Sequence, residues 1–88
     1  MIKVRQMIGE FSGRPIANQF IIYADDATYF QSYQTIIVKR TGGKTYLNRN
    51  AWDYSRTTGK YRNQFLGETK KETERKIKDG TYELVDLN

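Results

Sequence analysis

The stretch Ile36-Ile37-Val38-Lys39-Arg40-Thr41-Gly42-Gly43-Lys44-Thr45-Tyr46-Leu47 decides the fold of this chain. Two runs rich in β-branched and aromatic side chains flank a pair of glycines, and such runs favour strands. A glycine pair accepts the positive φ angles of a type I′ turn, which is the turn that matches the twist of two antiparallel strands. The stretch therefore predicts a β-hairpin.

Strand alternation assigns the side chains of this hairpin to two faces. With a two-residue turn, Val38 lies opposite Leu47 and Lys39 lies opposite Tyr46. We expect Ile36 to share the buried face with Val38 and Leu47. The residues expected on the other face are cationic or aromatic: Lys39, Lys44 and Tyr46.

Three strands are predicted up to the glycine turn. Ile2 to Ile8 alternates apolar and cationic residues, and Gln19 to Ala24 is a short apolar run. Thr28 to Arg40 is rich in β-branched and aromatic residues and contains no turn signal, so it predicts one long strand with a possible bulge near Ser32. Gly9 to Asn18 contains the only proline and predicts a loop or an irregular hairpin connection.

A helix is predicted over about Thr57 to Leu66, where aromatic residues recur at helical spacing. Ser55 or Thr57 supplies the N-cap oxygen, and Gly67 ends the helix.

A second helix follows, because Thr69-Lys70-Lys71-Glu72 has the pattern of a capping box and Gly80 stands where a left-handed C′ residue is expected. Glu72/Lys76 and Glu74/Lys78 have the spacing of favourable ion pairs. Tyr82 to Leu87 then predicts a final strand. The expected fold is a single α+β domain over residues 1–88, an antiparallel sheet of four or five strands with two short C-terminal helices packed on one side.

Positive charge is concentrated in one segment. The chain has a net charge of +5, and the segment from 39 to 62 holds seven cations against one carboxylate, an excess of +6. Such a concentration predicts a partner of negative potential, either a nucleic acid or an acidic protein groove. The alternative is a solvated basic face that serves solubility.

Catalysis is not expected, because the chain contains neither histidine nor cysteine. Imidazole and thiolate zinc sites and triad hydrolases are thereby excluded, and no cofactor or metal is predicted. Glu74-Arg75-Lys76 resembles an E-x-K nuclease element, but its acid also fits an ion pair on a solvated helix face. No apolar run approaches the roughly 20 residues of a membrane span, so we expect a cytoplasmic protein with no membrane partner.

The segment from Arg49 to Arg62 interleaves cations with aromatic residues, a pattern typical of surfaces on which bases stack while cations hold phosphates. The alternative is that Trp52, Tyr54 and Tyr61 anchor the first helix on the sheet and that the cations form its hydrated rim. The predicted binding residues combine the hairpin with this segment: Lys39, Lys44, Tyr46, Arg49, Tyr54, Arg56, Lys60 and Arg62. Tyr46 and Tyr54 are the candidate anchors.

Several stretches resemble a family of small, largely uncharacterised proteins of phages and mobile elements in Gram-positive bacteria. They are Phe30-Gln31-Ser32-Tyr33, Gly43-Lys44-Thr45-Tyr46-Leu47, Trp52-Asp53-Tyr54-Ser55-Arg56-Thr57-Thr58-Gly59-Lys60-Tyr61, Phe65-Leu66, Lys71-Glu72 and Leu87-Asn88. The resemblance covers about the last two thirds of the chain, and the first 28 residues do not match it. It implies a phage-encoded accessory protein and brings no catalytic residues.

Small phage proteins of this size are often inhibitors of host defence, including anti-CRISPR proteins. We therefore expect a non-enzymatic protein that inhibits a host defence nuclease or its nucleic-acid groove, with a host defence protein or ribonucleoprotein as its partner. The alternative is a basic accessory protein that binds single-stranded DNA or RNA in phage replication or regulation.

Overall fold

The computed structural model describes residues 1–87, which form six β-strands and two α-helices. The elements are β1 Lys3–Ile8, β2 Pro15–Tyr23, β3 Thr28–Ser32, β4 Thr35–Thr41, β5 Lys44–Asn48, α1 Arg56–Leu66, α2 Lys70–Lys78 and β6 Tyr82–Val85. The strands form one sheet in chain order, antiparallel except for the parallel pair β5 and β6. A parallel neighbour needs a long crossover, and this one contains both helices. The predicted α+β class is confirmed; Asn88, the end of the resemblance, lies outside the described residues.

The sheet has one strand more than predicted, because Thr28 to Arg40 is not one long strand. The chain reverses at Tyr33 and Gln34 and forms the antiparallel pair β3 and β4. Tyr33 has a φ of 58°, and its backbone N–H donates to the carbonyl oxygen of Asn18 at 2.6 Å. The side chain of Gln31 donates to the Tyr33 carbonyl oxygen at 2.7 Å. A tyrosine is held in a left-handed turn by partners outside that turn, so the turn has no local signature.

The glycine hairpin has the predicted register. Val38 pairs with Leu47 and Lys39 pairs with Tyr46 across β4 and β5. Gly42-Gly43 has φ angles of 56° and 78°, as a type I′ turn requires. This local prediction is confirmed.

A bulge in β4 changes which residues are buried. Phe30 pairs with Val38, whereas the next residue, Gln31, pairs with Ile36, so that Ile37 has no partner on β3. Ile37 and Val38 are both buried, at 1% and 0% exposure, while Ile36 lies on the other face and is half-buried. The prediction that Ile36 shares the buried face is wrong, and Ile37 takes its place.

The second strand begins earlier than predicted. Pro15 pairs with Ile8 and is the first residue of β2, so only the first part of the predicted loop from Gly9 to Asn18 is irregular. A proline is tolerated there because the first residue of a strand need not donate to the ladder.

Both helices have the predicted ends. Ser55 caps α1 by accepting the Thr58 backbone N–H at 3.1 Å, and Gly67 ends it with a φ of 71°. The capping box of Thr69 and Glu72 begins α2. Local residue types decide these ends, which is why the sequence predicts them.

The core lies between the helices and one face of the sheet. Its buried apolar residues come from five strands and α1: Met7, Phe30, Ile37, Val38, Leu47, Leu66 and Tyr82. The rings of Phe30 and Phe65 stack with centroids 5.7 Å apart and join β3 to α1. Neither helix within residues 1–87 has the length and apolar character of a bilayer span.

A buried carboxylate fixes α2 on β6. Glu68, whose side chain is 3% exposed, accepts hydrogen bonds from Lys76 Nζ at 2.6 Å, Thr73 Oγ1 at 2.6 Å and Tyr82 Oη at 2.8 Å. Burial alone raises the pKa of Glu68, but these hydrogen bonds outweigh burial and hold its pKa below the ordinary 4.5. The ion pair of Lys76 is therefore with Glu68 and not with the predicted Glu72.

Candidate nucleic-acid interface

The face of the sheet opposite the helices is covered by no helix or strand of residues 1–87. The strand pairings place one cross-strand row on this face, running from β1 to β6: Val4, Ile22, Tyr29, Lys39, Tyr46 and Glu83. A neighbouring row on the same face contains Phe20, Gln31 and Ile36. The pair Thr41 and Lys44 beside the glycine turn lies on the same side, and we call the two rows and this pair the open face. Its aromatic and aliphatic content is high for an uncovered surface.

The centre of the open face is a ring, a cation and a ring on adjacent strands. Tyr29 on β3 pairs with Lys39 on β4, and Lys39 pairs with Tyr46 on β5. Lys39 Nζ lies 6.0 Å from the centroid of the Tyr29 ring, and all three side chains are half-buried. Strands lie about 4.8 Å apart, so the two tyrosines start about 10 Å from each other.

The charges on the open face are positive near the glycine turn and negative at the β6 edge. Lys44, at the start of β5, pairs with Thr41, which lies on the same side of β4 as Lys39. Glu83 pairs with Tyr46 and places a carboxylate at the β6 edge. Positive potential is therefore expected near the glycine turn and negative potential near the β6 edge.

The structure does not join all the predicted binding residues into one surface. Lys39, Lys44 and Tyr46 lie on the open face, whereas Arg56 and Lys60 are exposed on α1, on the other side of the sheet. The prediction of a single surface is wrong, because α1 packs on the face that the hairpin buries.

The remaining two exposed predicted residues lie away from the open face's centre. Arg49 follows β5, and its Nη2 donates to the Leu84 carbonyl oxygen at 3.2 Å. Tyr54 precedes α1 and is 77% exposed.

Arg62 is a structural residue and not a surface contact. It is 0% exposed, and its Nη1 donates to the Trp52 carbonyl oxygen at 2.6 Å and to Asp53 Oδ1 at 3.2 Å. Its Nη2 donates to Asn63 Oδ1 at 2.9 Å. The predicted contact role of Arg62 is therefore wrong, since a partner has no access to its guanidinium.

Asp53 links this arginine to α2. Its Oδ2 accepts from Lys70 Nζ at 2.7 Å, while Oδ1 accepts from Arg62. Burial alone raises the pKa of Asp53, but the hydrogen bonds and charges of Lys70 and Arg62 outweigh burial and lower its pKa. Trp52, Asp53 and Arg62 thus hold α1 in place, and the most specific part of the resemblance contains the first two.

The carboxylates of residues 1–87 do not converge into a group of three that could hold a metal ion. Asp53 is paired with two cations, and Glu74 is exposed on α2. In the E-x-K pattern, Glu74 therefore lies on a solvated helix face, while Lys76 is paired with Glu68.

Tyr29, Phe20 and Ile22 are open-face residues that the sequence did not indicate. The position of Tyr29 opposite Lys39 depends on the β3–β4 turn and on the bulge at Ile37, both of which lack a local signature. The signal available in the sequence was the alternation of Phe20 with Ile22, which only shows that they share a face.

One family model matches the sequence, over residues 2–80, and its description is a family of unknown function, DUF8033. The match includes most of the first 28 residues, which the phage-protein resemblance leaves out. No curated protein and no solved structure matches the chain at a significant level.

Proposed function

The chain belongs to the DUF8033 family, and we propose that it binds single-stranded DNA or RNA on the open face of its sheet. The observation that carries this proposal is the alternation of Tyr29, Lys39 and Tyr46 across three adjacent strands. A base stacked on an aromatic side chain contributes roughly 1–3 kcal/mol, and a nearby cation holds the phosphate. The order of a ring, a cation and a ring across the three strands matches the order of a base, a phosphate and a base along a single nucleic-acid strand.

Single-stranded nucleic acid fits this face better than duplex does. Bases in a duplex are stacked on each other and present only their edges, whereas the open face offers rings. The apolar neighbours Phe20 and Ile22 extend the surface on which unpaired bases can lie. The positive net charge of +5 supports an anionic partner.

A second copy of the chain fits less well. Packing two open faces together would bury Lys39 and Glu83 of both copies, and the loss of hydration is costly even where the charges pair with each other. Inhibition of a host defence nuclease, the other function expected from the sequence, is supported by the resemblance alone and stays a prediction.

The proposal is tested by fluorescence anisotropy with a labelled single-stranded oligonucleotide and with the matching duplex. Lys39 and Lys44 are the two cations available on this face, and two phosphate contacts predict about a sevenfold loss of affinity between about 50 and 200 mM salt. Tyr29→Ala and Tyr46→Ala should each weaken binding at least about fivefold. Circular dichroism and thermal unfolding establish that both variants fold.

Matched controls lie on the other side of the sheet. Tyr23→Ala removes an exposed ring from the helix side of β2, and Lys60→Ala removes an exposed charge from α1. Neither should change affinity. Absence of binding at the lowest salt, or equal losses in Lys60→Ala and Lys39→Ala, would contradict the proposal and direct the search to a protein target.

A further inference from the structure

A concave surface lies on the helix side of the sheet, between the β3–β4 turn and the start of α1. This cleft has a volume of about 760 Å³ and is lined by twelve residues, none of which carries a formal charge. Its polar lining consists of amides and hydroxyls, including Asn18, Gln34, Asn50, Ser55 and Thr57. Since 28% of the chain's residues are charged, an uncharged lining of this size sets the cleft apart from the rest of the surface.

Two exposed tyrosines stand in this lining. Tyr33 belongs to the β3–β4 turn and is 52% exposed, and Tyr54 precedes α1 and is 77% exposed. They come from different segments of the chain. Tyr54 exposes most of its surface to solvent, and Tyr33 exposes about half. Exposed rings next to amide groups suit a planar ligand that also forms hydrogen bonds.

The backbone of the cleft is strained at Tyr33, since asparagine, unlike tyrosine, adopts positive φ readily. Asn18 and Tyr33, with φ angles of 65° and 58°, are the non-glycine residues of 1–87 with positive φ, and both line the cleft. A hydrogen bond of 2.6 Å from the Tyr33 N–H to the Asn18 carbonyl oxygen joins them. Strain of this kind lowers stability and is found preferentially at ligand sites.

The floor of the cleft contains polar groups in the core. Ser32 and Thr58 share a buried hydrogen bond of 3.0 Å. Gln19, which pairs with Ser32 across β2 and β3, is 0% exposed and lies behind Ser32, outside the lining of the cleft. The hydroxyls of Ser32 and Thr58 therefore give the floor of the cleft hydrogen-bonding groups beside the apolar Ile37.

We propose that this cleft binds one unstacked nucleobase, with adenine preferred. The lining has no cation, so a phosphate or another anion is not its ligand. Asparagine and glutamine amides donate and accept in the pattern that the N6 and N7 edge of adenine requires, and Asn18, Gln34 and Asn50 supply such amides. The cleft lies on the opposite side of the sheet from the open face, and the inference does not depend on the proposed function.

The test is a titration of the ¹⁵N-labelled protein with adenosine, followed by amide chemical shifts. Adenosine carries no phosphate, so the open-face cations contribute nothing to its binding. Stacking of adenosine on the open face would shift the amides of Tyr29 and Tyr46 and not those of the cleft. We expect saturable shifts at Tyr33, Asn50 and Tyr54, weaker ones with uridine and none with glucose. No saturable shift at millimolar adenosine, or equal shifts with glucose, would overturn the proposal.

Two substitutions localise the site. Tyr54→Ala removes an exposed ring and should weaken adenosine binding at least about fivefold. Tyr33→Asn removes the other ring and keeps a residue that tolerates positive φ, so its expected loss does not come from a distorted turn. Tyr23→Ala, an exposed ring outside the cleft, is the matched control and should bind adenosine as the parent does.

The two proposals fail separately. If the protein binds the oligonucleotide but adenosine shifts no amide of the cleft, the base-binding cleft alone is overturned. Adenosine binding in a protein that binds no oligonucleotide overturns the open-face interface alone.

Discussion

The guanidinium of Arg62 lies over the Trp52 ring at 5.1 Å, and its Nη1 donates a hydrogen bond of 2.6 Å to the carbonyl oxygen of Trp52. One side chain of α1 thereby holds the segment that enters α1. A cation–π contact and a charge-assisted hydrogen bond act on the same residue, in a buried place where both are stronger than in water. The pair explains why a cation from a basic segment lies inside the protein.

Arg62→Ala is expected to destabilise the fold by about 3 kcal/mol, because the Trp52 carbonyl oxygen and Asp53 lose their buried donor. Urea unfolding measures this change. Arg56→Ala, an exposed cation on the same helix, is the matched control and should change stability by less than about 0.5 kcal/mol. If Arg62→Ala lowered the free energy of unfolding as little as Arg56→Ala is expected to, Arg62 would have no structural role.

Tyr33→Gly is expected to raise the free energy of unfolding by about 0.5–1 kcal/mol, since glycine adopts the observed φ of 58° without steric cost. Gln34→Gly is the control at the next turn residue, where φ is not positive, and it should lower stability. Thermal or urea unfolding of both variants tests the strain. A loss of stability in Tyr33→Gly would mean that the ring contributes more than the strain costs.

Glu68 should make stability depend on pH in the acid range. Its pKa is below the ordinary 4.5 in the folded state because hydrogen bonds from Lys76, Thr73 and Tyr82 outweigh burial. A lowered folded pKa means that this stabilisation is complete above about pH 4.5 and declines as pH falls below it. Urea unfolding from pH 7 to pH 3 should therefore show a flatter acid-side decline in Glu68→Gln, together with lower stability at pH 7.

The control for that experiment is Glu74→Gln, which removes an exposed carboxylate from α2 and should keep the decline of the parent. If Glu68→Gln declined as steeply as the parent, the buried cluster would not be the source of the effect.

Glu83→Gln is expected to tighten single-strand binding about twofold at low salt, because Glu83 is the carboxylate beside Tyr46 on the open face. The gain should diminish as salt is raised. Glu74→Gln removes the same charge from the helix side and should leave affinity almost unchanged. Equal gains in both variants would indicate a general charge effect and no contact at this face.

Much of the fold follows from short stretches of sequence. The Gly42-Gly43 hairpin, the cap at Ser55 and the capping box at Thr69 are all at their predicted positions. Two of the three residues predicted on the exposed hairpin face, Lys39 and Tyr46, also lie at the centre of the open face. The candidate site was thus predicted in part, while Tyr29 was missed because its strand was predicted to continue through the turn at 33 and 34.

The sequence by itself determined the features that depend on residues adjacent in the chain, namely the glycine turn, the helix ends and the excess of positive charge. Only the tertiary structure decided which side each group occupies. The turn at Tyr33 depends on Asn18, and the burial of Arg62 depends on Trp52, ten residues away in the chain. Contacts between segments distant in sequence form only when the sheet and helices pack, and no local pattern specifies them.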